Sequence, residues 1–229
     1  MFEVQGLSAA YGQSEVLHGV DFAVTPGEIV AVVGRNGMGK STLMKSLIGT
    51  MPSKSGKIIV DGKDISALPS HQRVARGLAY VPQGRQIFGT MTVKENIETG
   101  RVVTGKGDVP LEIYSLFPIL QEFANRRGGN LSGGQQQQLA IARALASDPK
   151  ILLLDEPTEG IQPSIIKDLA KVLKEIRQLR NLCIVVCEQV LSFVLDVADR
   201  ILVMENGRIV HSDTRAGVDE AAIARFLAV

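Results

Sequence analysis

The chain has 229 residues, 45% of them apolar, and a formal charge of +1 from 25 basic and 24 acidic side chains. That length is ample for a packed core, and the balanced charge excludes a strongly electrostatic nucleic-acid binder. No apolar stretch approaches the roughly 18 residues of a membrane-spanning helix, and Phe2-Glu-Val-Gln5 opens the chain as a strand with no leader pattern.

In chain order, Phe2–Gln5 and Gly19–Val24 read as strands, and Pro26-Gly27 as a turn into the buried run Ile29–Val33. Leu43–Ile48 has helical spacing and stops at Gly49. Lys57–Val60 and Lys63–Ile65 flank Asp61-Gly62 as a hairpin, and Tyr80–Gln83 ends another short strand. From about Gly84 to Ser147 the character changes. Val93–Ile97 and Leu111–Phe123 are expected helices, separated by a flexible break at Gly105–Asp108. We read residues 84–147 as a helical subdomain inserted into an α/β core of 1–83 and 148–229. The core resumes with the strand Ile151–Leu154. In the helix Pro163–Arg180, Ile165, Ile166, Leu169, Val172, Leu173, Ile176 and Leu179 form one apolar stripe. The strand Leu182–Val186, a hairpin around Asn206-Gly207 and a helix over 219–229 complete the chain. Cys183 and Cys187 fall in an apolar run with no partner cysteine and only three histidines in the chain, so they read as small core hydrophobes in a reducing compartment.

Gly34-Arg-Asn-Gly-Met-Gly-Lys-Ser-Thr42 lies between a strand and a helix. Gly34, Gly37 and Gly39 let successive N–H groups turn toward phosphate oxygens, and the helix start adds its dipole. Lys40 supplies a charge for the β- and γ-phosphates, and Ser41 a hydroxyl for Mg²⁺. The loop predicts a nucleoside triphosphate site. Asp155-Glu156 closes the strand Ile151–Leu154. Asp155 suits Mg²⁺ coordination, and Glu156 suits polarising the water that attacks the γ-phosphate. A second anion-binding helix start is expected at Leu131-Ser-Gly-Gly-Gln135, with Ser132 as N-cap.

Leu131–Gln135, together with the phosphate loop, Gln83 and Asp155-Glu156 in this order, resembles the ATP-binding cassette family over essentially the whole chain. The resemblance implies a P-loop NTPase (RecA-like) α/β core with an N-terminal antiparallel β-subdomain and the inserted helical subdomain. It implies that Gly34, Arg35, Asn36, Gly37, Met38, Gly39, Lys40, Ser41 and Thr42 bind ATP, with Tyr11 stacking on adenine. Ser41, Gln83 and Asp155 would surround Mg²⁺. Ser132, Gly133, Gly134 and Gln135 would cover the γ-phosphate of ATP held by a second subunit, in a head-to-tail C2 pair. The family usually has a histidine where this chain has Gln189, whose amide can donate to a γ-phosphate but cannot titrate. It often has an aspartate where this chain has Gln162. Catalysis would then rest on Lys40, Glu156 and Gln189.

Both departures resemble the branch that powers importers of branched-chain amino acids and amides. Val81–Gln86, Asn130–Gln138 and Asp155–Ser164 look most like the ATPases of urea transporters. The resemblance implies an ATPase at the cytoplasmic face of the inner or plasma membrane. Its partners would be transmembrane permease subunits, a second ATPase subunit and, indirectly, a solute-binding protein. Ile87 and Phe88 are expected to face the permease. A soluble cassette ATPase, such as a cluster-assembly scaffold, and an exporter motor are the alternatives.

Overall fold

The computed structural model describes residues 1–102, 105 and 109–227, without the side chains of Ala222 and Leu227. The expected break at Gly105–Asp108 therefore falls largely outside the described residues; Gly105 itself sits in a turn, its N–H bonded to Arg101 O. The expected last helix is α9 (Glu220–Leu227), with residues 228 and 229 outside.

β1 (Phe2–Tyr11), β2 (Ser14–Val24), β4 (Ser55–Val60) and β5 (Lys63–Asp64) form an antiparallel sheet in the order β2-β1-β4-β5. Asp61 and Gly62 join its last two strands with φ of 49° and 74°, the doubly left-handed turn that an Asp-Gly pair supplies. The second sheet runs β10-β9-β3-β8-β7-β6. Its members are β3 (Ile29–Val33), β6 (Leu78–Val81), β7 (Ile151–Asp155), β8 (Cys183–Glu188), β9 (Arg200–Glu205) and β10 (Arg208–Thr214). All pairings in it are parallel except β9 with the edge strand β10.

The central strands are buried on both faces, which is why they read as continuous apolar runs. Alternate residues go to different cores. Val30, Val32, Leu153 and Val185 meet the antiparallel sheet and α1 (Lys40–Ile48) through Phe2, Leu17, Leu43 and Leu47. Leu152, Leu154, Ile184 and Val186 meet α6 (Gly133–Leu145) and α7 (Pro163–Arg180) through Leu139, Leu169 and Leu173. Cys183 and Cys187 are free and buried on the first of these faces, as their apolar context suggests.

Several elements depart from expectation. The segment 111–123 is two helices, α4 (Leu111–Leu116) and α5 (Pro118–Glu122), because Phe117 precedes a proline and is driven out of the α region to φ −131° and ψ 70°. Leu179 leaves the apolar stripe of α7 and is 60% exposed. Ile87 packs against the core, while Phe88 beside it is exposed. The short helices α2 (Ser70–Ala75) and α8 (Leu191–Val197) carry no clear periodic signal in the sequence. α3 (Val93–Thr99) begins with a reciprocal cap between Thr92 and Glu95.

Candidate nucleotide site

Parallel pairing dictates where chemistry can gather. The carboxyl ends of β3, β6, β7 and β8 lie at one edge of the sheet, so the segments after them emerge together. Those segments carry Gly34–Gly39, Gln83, Glu156 and Gln189.

The phosphate loop is built by steric exclusion. A Cβ at Gly34 would run into the carbonyl oxygen of Met204 on β9. Gly37 and Gly39 take φ of 80° and 105°, which glycine alone adopts without strain. Lys40, only 4% exposed, donates from Nζ to Gly34 O at 2.7 Å and Arg35 O at 3.0 Å. Its ammonium also lies 3.6 Å from Glu156 Oε1. A buried cation held mainly by neutral carbonyls is a suitable receptor for phosphate oxygens.

Around it, Gln83 Nε2 donates to Glu156 Oε2 at 3.1 Å, and Gln189 Nε2 donates to Glu156 Oε1 and to Asn36 Oδ1, both at 2.7 Å. Glu156 itself is held at φ 48°, its N–H donating to Cys187 O at 2.9 Å. A non-glycine residue there costs about 1–3 kcal/mol, strain of the kind that clusters at functional sites. Ser41 Oγ donates to Asp155 Oδ1 at 3.2 Å, and Tyr80 Oη donates to Asp155 Oδ2 at 3.3 Å. Burial, chiefly, and the neighbouring Glu156 push the Asp155 carboxyl above its usual range, against the hydrogen bonds from Ser41 and Tyr80. Burial and the Asp155 charge likewise push the Tyr80 phenol up. Asn36, Gly37, Gly39, Lys40, Ser41, Thr42, Gln83 and Glu156, with Val16, enclose a cleft of about 260 Å³.

Other expected residues stand apart. Ser132 caps α6 in a reciprocal pair with Gln135: the Gln135 N–H donates to Ser132 Oγ at 3.3 Å, and the Ser132 N–H donates to Gln135 Oε1 at 3.0 Å. Neither these nor Gly133 and Gly134 line the cleft; a Cβ on Gly133 would meet Arg85 and Gly160 instead. Tyr11, 54% exposed at the end of β1, also lies outside the lining. Arg35 and Met38 face away from it toward Phe226 and Asn206.

The ABC transporter family model matches residues 17–159. The chain belongs to the ABC transporter family. It is therefore an ATPase of that family, on a cassette fold. The high-affinity branched-chain amino acid transport ATP-binding protein BraG of Pseudomonas aeruginosa is 41% identical over 221 residues, 95% of this chain and 94% of the relative. The lipopolysaccharide export system ATP-binding protein LptB of Haemophilus influenzae is 35% identical, over 92% and 89%. A bacterial ABC transporter cassette solved as a dimer superposes with a TM-score of 0.84 at 25% identity, over 95% of this chain and all of that one. No helix of the described cassette is long and apolar enough to cross a membrane.

Sequence reasoning missed three side chains at this site. Tyr80 was read only as the end of a strand. Thr158 stands in none of the catalytic motifs. Glu188 lies two residues past the expected strand end at Val186, on a strand that runs to Glu188.

Proposed function

We propose that this ATPase powers an importer of branched-chain amino acids or small amides, with urea the solute favoured by Val81–Gln86, Asn130–Gln138 and Asp155–Ser164. Similarity to BraG supports the importer reading. The similarity to LptB supports an exporter motor as the second reading.

One observation carries the mechanism: Lys40, Gln83 and Gln189 all converge on Glu156, while Ser132–Gln135 lie outside the cleft. On this reading each chain holds two halves of different sites. Two chains, paired head to tail, complete both. Lys40 exchanges the carbonyls of Gly34 and Arg35 for β- and γ-phosphate oxygens. Glu156 accepts the proton of the attacking water, with Gln83 holding its other oxygen. Gln189 turns its amide N–H from Glu156 to the γ-phosphate, and Ser132–Gln135 of the second chain cover the remaining face. The hard oxygen donors of Ser41 and Asp155, already within hydrogen-bond reach of each other, fit Mg²⁺. When bound, Mg²⁺ neutralises charge on the phosphate oxygens; Asp155, Ser41 and, from the loop side, Gln83 would hold it. Tyr11 would cover the adenine.

A cavity of about 530 Å³, lined by Tyr80, Gln86, Phe88, Gly100 and Arg143 among others, is the proposed dock for a cytoplasmic helix of the permease. Phe88 is 49% exposed there, with the Arg143 guanidinium over its ring. Residues 84–147 would then form the subdomain that grips the membrane partner.

Glu156→Gln tests the assignment. The variant should bind ATP and sediment as an ATP-dependent dimer, while turnover falls at least about 100-fold, the contribution expected of a general base. Near-normal turnover would remove Glu156 from this role.

A further inference from the structure

Glu188 is a carboxylate that the mechanism above does not use. It is 2% exposed at the last position of β8, between the loop of Glu156 and that of Gln189. Its two oxygens are divided between those loops. Oε1 accepts from the Thr158 N–H at 2.9 Å and from Thr158 Oγ1 at 2.5 Å. Oε2 accepts from the N–H groups of Gln189 at 2.8 Å and Val190 at 3.2 Å. Thr158, itself 4% exposed, follows Glu156 by two residues. All four donors are backbone N–H or hydroxyl groups, and no cation shares the carboxylate in these contacts.

We propose that Glu188 is a positioning residue for ATP hydrolysis: its carboxylate clamps the Glu156 loop to the Gln189 loop, so that base and amide arrive at the γ-phosphate in register. The proposal rests on the roles given above to Glu156 and Gln189. The physical argument is one of pairing. A buried carboxylate is stable only when hydrogen-bonded, and here the bonds that satisfy it are the bonds that join the two loops. An amide of the same shape has one acceptor and one donor end. Whichever way it is turned, Glu188→Gln presents N–H to N–H on one side and releases one loop. Misplacement of reacting groups by a fraction of an ångström is read in kcat rather than in substrate affinity.

The test is steady-state ATPase kinetics, with ATP binding and thermal melting measured in parallel, on the complete chain in its dimeric assembly. Glu188→Gln should lower kcat at least about tenfold while the KM for ATP stays within about threefold. In the double variant with Gln189→Ala, the loss should be smaller than the product of the two single losses, because both act through one amide. Thr158→Val, which removes one donor and keeps the shape, should show a smaller loss with the same non-additivity. A purely structural role would instead lower the melting temperature without splitting kcat from KM. Unchanged kcat in folded Glu188→Gln, or losses that simply multiply, would overturn the clamp. If Glu188→Gln does not fold, Thr158→Val against Gln189→Ala decides by the same two criteria. Near-normal turnover of Glu156→Gln would overturn the underlying reading separately, without involving Glu188.

Discussion

Among single residues, Asp155 shows what the site costs the fold. Its carboxyl is pushed up mainly by burial, so the native state holds the proton more tightly than the unfolded chain. Stability from this group is therefore greatest in acid and falls as pH rises from about 4 through the raised value. At neutral pH the anion is a burden. Asp155→Asn should raise the melting temperature of the nucleotide-free protein at neutral pH, and the gain should vanish on acidification below about pH 4, the ordinary carboxylate value. The same variant should lose most of the extra stabilisation that Mg²⁺ adds to ATP. A lower melting temperature at neutral pH would contradict the argument. At this scale the sequence showed residues that stand in spaced motifs: Lys40, Ser41, Asp155 and Glu156, the ones proposed to face the nucleotide. It hid those that face one another. Glu188 and Thr158 meet only through the register of β7 beside β8, which pairs Asp155 with Cys187.

Elements were legible where one pattern dominated. β3, β7 and α7 have the bounds, or nearly the bounds, that apolar runs and caps suggest. The segment 111–123 was not, because its apolar spacing persists across Phe117-Pro118 while the backbone cannot. Its first helix is anchored from outside. Arg180, in the last turn of α7, donates to Glu112, in the first turn of α4, through Nε at 2.9 Å and Nη2 at 3.0 Å. Each charge also complements the dipole of its own helix. The Arg180 hydrogen bond holds the Glu112 carboxyl below its usual range despite partial burial. Because that folded-state value is depressed, the pair contributes fully above about pH 5 and is lost as pH falls through it. Glu112→Ala should cost about 0.5–1 kcal/mol at neutral pH, discounted for the exposed side of the pair. The melting difference from the parent should close as the pH falls from about 5 through the depressed folded-state value. A difference that persists in acid would place the loss in packing of the Glu112 side chain rather than in its charge, since alanine is the better helix former.

Taken whole, the order of motifs along the chain foretold the fold, since strand, glycine loop and helix admit few arrangements. The expectation that Ser132–Gln135 serve a second subunit comes from the family resemblance; motif order alone does not say which motifs meet within one chain. The parallel sheet gathers four of them at one edge and leaves Ser132–Gln135 elsewhere. The same sheet has a practical consequence through Cys183 and Cys187. Both thiols lie in β8, flanked by β3 and β7, and burial pushes Cys183 up to about 11 and Cys187 well above its ordinary value. Cys187 Sγ contacts Lys40 O, directly beneath the phosphate loop. Cys187, fully buried, cannot meet a reagent until the central sheet opens, so its thiol acts as a clock for that opening, whereas Cys183 borders a surface cavity. The modification rate of Cys187 should fall as ATP is added, by about 100-fold when ATP stands at 100 times its dissociation constant. Rates indifferent to ATP would mean that β8 opens while the loop above it keeps its nucleotide.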